Sequence, residues 1–517
     1  DPAAILKDKK YLQPTKDALE NVFGISGSDV DKILKDNPTS RYYLMKEYGE
    51  LDKDIVTKME KLQEKDENIR GIHFEEEYKR EYPYSTVACD VIGFCTDTNS
   101  GTWGIENTYN DMLNGTNGRQ FGYYDSELNL VKTIKAATNG YTVKSTIDVN
   151  VQGIMEQHIQ KFMKNTGAKK IACLLMNPNT GGIVAMGSNS VYDLNDPRNL
   201  SVAYTQEEIS AMSEEEQLKA LNELWRNYCI SDSYEPGSTF KPFTEAMGLD
   251  SGSLRGDETY ICDGSEWVSG HEIHCVNRSG HGTEDLRGAL RDSCNDALMQ
   301  MVRAIGPANF AKYSREYGFG QKTGIDLPGE ASTASLIFSE EQLARTESNL
   351  AVSSFGQGFN VTMIQLASSF CSLINGGNIY QPHVVKKIVD GSGNTVQEIS
   401  PVVTKETVSQ EVSDTLRDYM YTVVSEGTGA KAAVEGYAIG GKTGTAEKVP
   451  RGSGNYVVSF IGFAPVDDPQ VVVYVVVDEP HVADQSHCSQ SSYIAKNIFS
   501  QILPYMNIER MDSVAAE

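Results

Sequence analysis

Three short stretches carry residue types that could carry out acyl transfer together. In "YEPGSTFKPF" a Pro-Gly turn delivers Ser238 to the start of a predicted helix, and Lys241 follows three residues later. On a helix that spacing puts both side chains on one face. Gly237 permits the sharp turn, and a helix N-terminus favours negative charge nearby. A serine hydroxyl is a poor nucleophile until a base takes its proton. A lysine becomes that base when burial or a neighbouring cation lowers its pKa. Taken alone, Ser-x-x-Lys reads better as a helix cap followed by a lysine.

Two further triplets change that balance. In "ALRDSCNDALMQM" the residues Ser293, Cys294 and Asn295 break a helical pattern and offer a hydroxyl and an amide at a bend. In "GYAIGGKTGTAEK" the residues Lys442, Thr443 and Gly444 open a strand. Gly444 has no side chain, so a ligand backbone can pair along that edge while Lys442 and Thr443 take a carboxylate. A second Lys-Thr-Gly, Lys322 to Gly324 in "YGFGQKTGIDLPGE", follows Gly-Phe-Gly and runs into Leu-Pro-Gly, which leaves no room for a long strand. It reads as a turn.

These residues need elements to hold them. Asp148 is a predicted N-cap, with Val151, Ile154, Met155, Ile159 and Phe162 following at helical spacing. The apolar runs of "KIACLLMNPNTGGIVAMGSN" form a predicted hairpin, and "YVVSFIGFAPVDDPQVVVYVVVDEP" repeats that pattern near the C-terminus. "SSYIAKNIFSQILPYM" closes the chain as a helix. Helix and hairpin at one end, hairpin and helix at the other, imply an antiparallel sheet completed by both ends of one domain. Residues between about 195 and 430 read as mostly helical. Residues 1–142 mix short polar helices ("LDKDIVTKMEKLQEKDENIRG") with Gly- and Asn-rich loops ("DMLNGTNGRQFGYYD"), a texture of an extended platform. The expected class is α+β, divided into 1–142 and 143–517.

The 517 residues exceed one ordinary core. A net charge of −25 argues against nucleic acid as a partner, since phosphate binding needs a basic face. No run of about 18 apolar residues is present to span a bilayer. Nine cysteines (Cys89, Cys95, Cys173, Cys229, Cys262, Cys275, Cys294, Cys371 and Cys488) are odd in number and scattered, unlike a disulfide framework. Cys173 and Cys371 lie in apolar runs and read as core residues, and thiols in this number suit a reducing compartment or a life without oxygen.

The order Ser-x-x-Lys, Ser-x-Asn, Lys-Thr-Gly is the set shared by class A β-lactamases and penicillin-binding proteins. Around it, "STID", "NPNTGGIVAM", "WRN", "SGHGT", "FGQG" and "SFIGFAP" build a resemblance to class B penicillin-binding proteins over about residues 142–505. "YKREYPY", "VIGF" and "GTWGIENTYNDMLNGTNG" carry it into the platform. The wording is most similar to the division and sporulation branch, which includes the stage V sporulation protein D type.

The resemblance implies a penicillin-binding, β-lactamase-like transpeptidase domain, with an antiparallel sheet, flanking helices and an all-helical subdomain, on an N-terminal pedestal. It implies a peptidoglycan D,D-transpeptidase in which Ser238 attacks the bond between two D-alanines and Lys241 takes its proton. Ser293 relays that proton, Asn295 holds Lys241 and a substrate amide, and Lys442, Thr443, Gly444 and Thr445 bind the substrate. The N–H groups of Ser238 and Thr445 form the oxyanion hole. No cofactor is required. Implied partners are stem peptides, lipid-linked precursor strands, β-lactams and a membrane glycosyltransferase. The family's membrane helix and the segment after it are not in the sequence, so the resemblance implies an extracytoplasmic domain whose single-pass anchor lies outside it. A serine β-lactamase and a β-lactam-sensing receptor are the alternatives that share the three motifs.

Two clusters offer metal ligands. "EPHVADQSHCSQSS" crowds His481, Asp484, His487 and Cys488 together, with Asp484, His487 and Cys488 as candidate zinc ligands and Cys229 as a candidate fourth. A polar loop with an incidental thiol fits these residues equally well. "YICDGSEWVSGHEIHCVNRSGHG" brings Cys262, His271, His274, Cys275 and His281. Here the resemblance implies a local pairing of Cys262 with Cys275, and zinc is the alternative.

Overall fold

The computed structural model describes residues 1–45, 48–49, 51–75, 79–96, 99–124 and 130–511. Tyr78 of "YKREYPY" and Asp125 of "DMLNGTNGRQFGYYD" lie outside them. The chain forms two compact units, Asp1–Lys79 and Arg80–Glu517.

The first unit is built from the helices Pro2–Leu6, Lys9–Phe23, Gly27–Asp36 and Lys53–Lys65. Side chains of Asp8 and Ser26 cap the second and third of these, and Gly24, at φ +70°, ends the second in the left-handed conformation. Its core is small: Ile5, Leu19, Ile25, Val30, Leu34 and Met59 account for most of it. That matches a polar sequence with narrow apolar stripes.

In the second unit, the early residues are hydrogen-bonded to segments far along the chain. Asn195 Oδ1 accepts from the Tyr82 N–H (2.9 Å), Glu156 accepts from the Ala88 N–H (2.8 Å), and the Tyr109 hydroxyl donates to Asp326 (2.7 Å). The division between compact units therefore falls at Lys79, not at 142, where the sequence texture changes.

Five antiparallel strands organise this unit: β1 (Ala168–Met176), β2 (Ile183–Ser188), β3 (Gly440–Glu447), β4 (Tyr456–Ala464) and β5 (Val471–Pro480). Their order is β3-β4-β5-β1-β2, so the two hairpins read from sequence join where β5 pairs with β1, Val475 opposite Cys173. Side chains alternate between the faces. Ile171, Cys173, Leu175, Val473 and Val475 pack against the helices Val149–Asn165 and Gln490–Tyr505. Ala172, Leu174, Met176, Val472, Tyr474 and Val476 share the opposite core with Phe240, Phe243 and Met363. Both faces are covered, which is why "IACLLM" and "VVVYVVV" are apolar without a break. Each such side chain contributes about 1.5–3 kcal/mol on burial.

Asp148 caps the helix Val149–Asn165 by accepting from the N–H groups of Asn150 and Val151, as its position before the apolar spacing implied. The mostly helical stretch also carries short β pairs, including Thr259–Cys262 with Gly282–Asp285 and Ser265–Val268 with His271–His274. These pairs were not read from the sequence.

Candidate active site

Ser238 is not the cap of a helix. It sits in a single 3₁₀ turn, Gly237–Phe240, that runs into the helix Lys241–Asp250. Pro242 fits in the first helical turn, where its missing N–H costs no hydrogen bond. Every residue from Thr239 to Gly248 is buried, while Ser238 is half-exposed. The turn thus lifts one hydroxyl out of an otherwise enclosed helix.

Three glycines let the backbones close around that turn. Gly237 has φ +58°, and a Cβ there would lie 2.5 Å from the Thr445 carbonyl oxygen. The Gly237 N–H donates to the Gly356 carbonyl of "FGQG" (2.9 Å), and a Cβ on Gly356 would fall 2.1 Å from the Gly237 oxygen. A Cβ on Gly444 would meet Ser459 Oγ at 2.4 Å and Thr239 Cγ2 at 2.8 Å. Gly444 therefore serves first to let the edge strand β3 pass against the Ser238 turn. That is a different requirement from the open ligand-pairing edge expected from sequence.

The bend expected at Ser293 forms between the helices Leu286–Arg291 and Asn295–Glu316, with Ser293 in the left-handed region at φ +59°. Its hydroxyl oxygen joins the three motifs. It accepts from Lys241 Nζ (3.1 Å) and from Lys442 Nζ (2.9 Å), and Lys241 also donates to the Ser293 carbonyl. Lys442 reaches on to Thr443 Oγ1 (3.2 Å), which lies 3.3 Å from Thr428 Oγ1. Both lysines are completely buried. Burial brings Lys241 down to about 8, and burial together with the Lys241 charge holds Lys442 well below the usual lysine range.

Asn295 departs from its expected partners. Its Nδ2 donates to the His274 carbonyl (3.1 Å), and its Oδ1 is buried without a hydrogen bond. Lys241 is held by Ser293 instead. Among the described residues no hydrogen bond reaches Ser238 Oγ.

Glu245 was missed in the sequence. It lies one turn beyond Lys241 on the same helix face, fully buried, with neither carboxyl oxygen hydrogen-bonded. Burial drives its carboxyl well above the usual range, against the opposing pull of the Lys241 and Lys442 charges, which disfavours the ionised form. The i, i+4 spacing from Lys241 was the available signal.

The metal candidates separate. Asp484 and His487 pair directly (2.8 Å) on an exposed loop, where hydrogen bonds from Ser486 and His487 bring the Asp484 carboxyl down to about 2. Cys488 instead packs against the core of Ile494 and Ile498, and among the described residues no three ligand atoms converge there. Cys229 belongs to the core on the other sheet face, its thiol against the Cys173 carbonyl (3.6 Å), so it cannot complete that site. All nine cysteines are free thiols, so Cys262 and Cys275 do not form the implied pair as a disulfide. Both converge with His281 and Cys294, while His271 and His274 stay outside the group.

The chain matches the family model described as the penicillin binding protein transpeptidase domain over residues 171–503, and the penicillin-binding protein dimerisation domain over 2–145. It is 35% identical to stage V sporulation protein D of Bacillus subtilis over 86% of this chain and 66% of that protein. It is 28% identical to the penicillin-binding protein PbpB of Mycolicibacterium smegmatis over 83% and 65%. It thus spans just under two thirds of the length of these relatives. Among solved structures it is similar to penicillin binding protein 3 of Mycobacterium tuberculosis complexed with ampicillin, with TM-score 0.70, 25% identity and coverage of 84% of this chain and 90% of that one. Penicillin binding protein 2X of Streptococcus thermophilus shares the fold, with TM-score 0.77, 23% identity and coverage of 99% and 75%. With both modules matched in this order, the chain belongs to the class B penicillin-binding proteins.

Proposed function

We propose that this chain is a serine D,D-transpeptidase that cross-links peptidoglycan stem peptides through an acyl-enzyme and is acylated by β-lactams. The observation that carries it is the Ser293 hydroxyl held by both Lys241 and Lys442, which joins residues from three distant parts of the chain. In this reading Ser238 Oγ attacks the carbonyl carbon of the penultimate D-alanine, and its proton passes to neutral Lys241. The tetrahedral oxygen takes hydrogen bonds from the N–H groups of Ser238 and Thr445, each worth about 3–4 kcal/mol in acyl-transfer enzymes. The proton then travels through Ser293 to the leaving D-alanine amine. An amine of a second stem peptide attacks the ester carbonyl, forms the cross-link and returns Ser238.

The substrate carboxylate binds at Lys442 and Thr443. Its negative charge raises the pKa of Lys442 and restores that ammonium, which by repulsion favours the neutral form of nearby Lys241. Asn295 is assigned to a substrate amide through its unpartnered Oδ1, with its hold on Lys241 taken over by Ser293. The chemistry needs no cofactor. Asp484, His487 and Cys488 are assigned no metal.

Residues 1–142 form the pedestal module and 143–517 the catalytic module, a division supported by the match of the dimerisation model to 2–145. The catalytic module works on the extracytoplasmic face of a membrane-anchored protein, where stem peptides are, beside a membrane glycosyltransferase that supplies lipid-linked strands for division or sporulation. The test is turnover. Stoichiometric, slowly released labelling by fluorescent penicillin, with cross-linking of a D-Ala-D-Ala peptide to an amine acceptor, is expected. Steady hydrolysis of a chromogenic cephalosporin indicates a serine β-lactamase instead, and labelling without peptide turnover indicates a receptor.

A further inference from the structure

Behind the Ser-Cys-Asn bend, four side chains that the acyl-transfer chemistry does not use point to one place. Cys262 ends the strand Thr259–Cys262, and Cys275 follows the strand His271–His274. His281 precedes the strand Gly282–Asp285, which pairs with the first so that Gly282 lies opposite Cys262. Cys294 is the N-cap of the helix Asn295–Glu316. His281 Nδ1 lies 3.5 Å from Cys262 Sγ and 3.7 Å from Cys275 Sγ, and the sulfurs of Cys275 and Cys294 are 3.8 Å apart. All four ligand atoms fall within 4.8 Å of one another.

These are the separations of a tetrahedral zinc shell. Zn–S bonds of about 2.3 Å and a Zn–N bond of about 2.0–2.1 Å place two sulfurs about 3.8 Å apart, and a sulfur and a nitrogen about 3.6 Å apart. A disulfide needs sulfurs about 2.05 Å apart. We propose that Cys262, Cys275, His281 and Cys294 bind one structural zinc ion as a closed Cys₃His site.

Two surroundings support this. The three cysteines are buried, which suits a closed site. Backbone N–H groups of Asn295 and Ala297 donate to the sulfurs of Cys275 (3.3 Å) and Cys294 (3.4 Å), the kind of outer support that metal-bound thiolates receive.

The metal ties both small β pairs to the start of the helix that follows Ser293 and Asn295. It thereby holds Ser293 in its left-handed conformation, and Asn295 against the His274 carbonyl. The existence of the site does not depend on the proposed transpeptidation. Its effect on acylation does, since that effect acts through Ser293.

The test uses the full chain, grown with zinc and purified under reducing conditions, with metal content and fluorescent-penicillin labelling measured on the same samples. One zinc per chain is expected. Its removal by a strong chelator lowers Tm and slows labelling by about tenfold or more. Refilling with Co²⁺ gives thiolate-to-metal charge-transfer absorption and the intense visible bands of a tetrahedral ion. The double variant Cys262→Ser, Cys275→Ser loses the metal, and His281→Cys keeps it with a shifted Co²⁺ spectrum. Folded, penicillin-labelled protein that holds no zinc and gives no Co²⁺ charge-transfer band overturns the site. So does a Co²⁺ spectrum unchanged in the double variant. Zinc-loaded protein that penicillin fails to label supports the site and counts only against the transpeptidase.

Discussion

The molecule contains Lys-Thr-Gly twice, and the two copies share nothing but their letters. At Lys442 the lysine is fully buried, the strand lies on the sheet edge, and Nζ meets Ser293 and Thr443. At Lys322 the lysine is exposed, and Thr323 spends its N–H and hydroxyl on the Glu330 carboxylate, closing a turn. Even the glycines differ in purpose. Gly324 is there for its φ of +76°, whereas Gly444 is there because a Cβ would strike Ser459 and Thr239. A motif carries chemistry only when its backbone is placed by a sheet and its side chains are desolvated together.

The largest effect that separates the copies is expected from removing the lysines. Lys442→Ala should slow acylation by penicillin about 10²–10³-fold, the scale for loss of one positioned charge in an acyl-transfer site. Lys322→Ala should leave the rate unchanged. Comparable losses in both variants, measured by stopped-flow labelling, would break the distinction.

Next comes pH. Because burial holds Lys241 at about 8, the neutral base becomes populated as pH rises through that value. Acylation should therefore climb to a plateau above about pH 8, and at about pH 6 it should be roughly a hundredfold slower. Folding shows the same group with the linked sign. Between about 8 and the ordinary lysine value of 10.5, the unfolded chain holds a proton the folded chain has released, so stability contributed by this group rises with pH across that window. A flat rate profile from pH 6 to 9 in wild type would deny Lys241 its part. The Lys322→Ala profile should overlay that of wild type.

Glycine replacement sharpens the contrast in kind. Gly444→Ala should slow labelling about tenfold or more, since displacing β3 moves the Ser238 turn from its position. Gly324→Ala should cost about 1 kcal/mol of stability from the left-handed backbone, read as a lower Tm with labelling kept.

Much of this was legible in the sequence because it depends on local spacing. The hairpins of β1–β2 and β4–β5, the Asp148 cap and the bend at Ser293 arise from periodicity and turn residues over a few positions. What escaped depends on contacts between distant segments. Asn295 bonds His274 across a hairpin that sequence periodicity did not reveal. Cys294 looked like the middle letter of a catalytic triplet, yet its sulfur belongs with Cys262, Cys275 and His281. The crowded ligands at Asp484 to Cys488 were close in sequence, but Cys488 turned into the core. Glu245 was within reach of a helical-wheel argument, but a carboxyl one turn from a buried lysine is ordinarily read as its ion pair, and here burial pushes it well above the usual range.

The smallest effect is expected at this carboxyl, which burial pushes toward its neutral form. Glu245→Gln preserves the shape of the neutral carboxyl, so labelling rate and pH profile should stay within about twofold of wild type. An ionised Glu245 would instead support the Lys241 ammonium, and its loss would move the profile to lower pH.

The central claim is that the Lys442 copy, together with Ser293, serves one nucleophile. Labelling the folded chain with fluorescent penicillin and sequencing the modified peptide tests it directly. A single modified residue, Ser238, with labelling abolished in a folded Ser238→Ala variant, is the expected result. Modification at another residue, or undiminished labelling of Ser238→Ala, would contradict it.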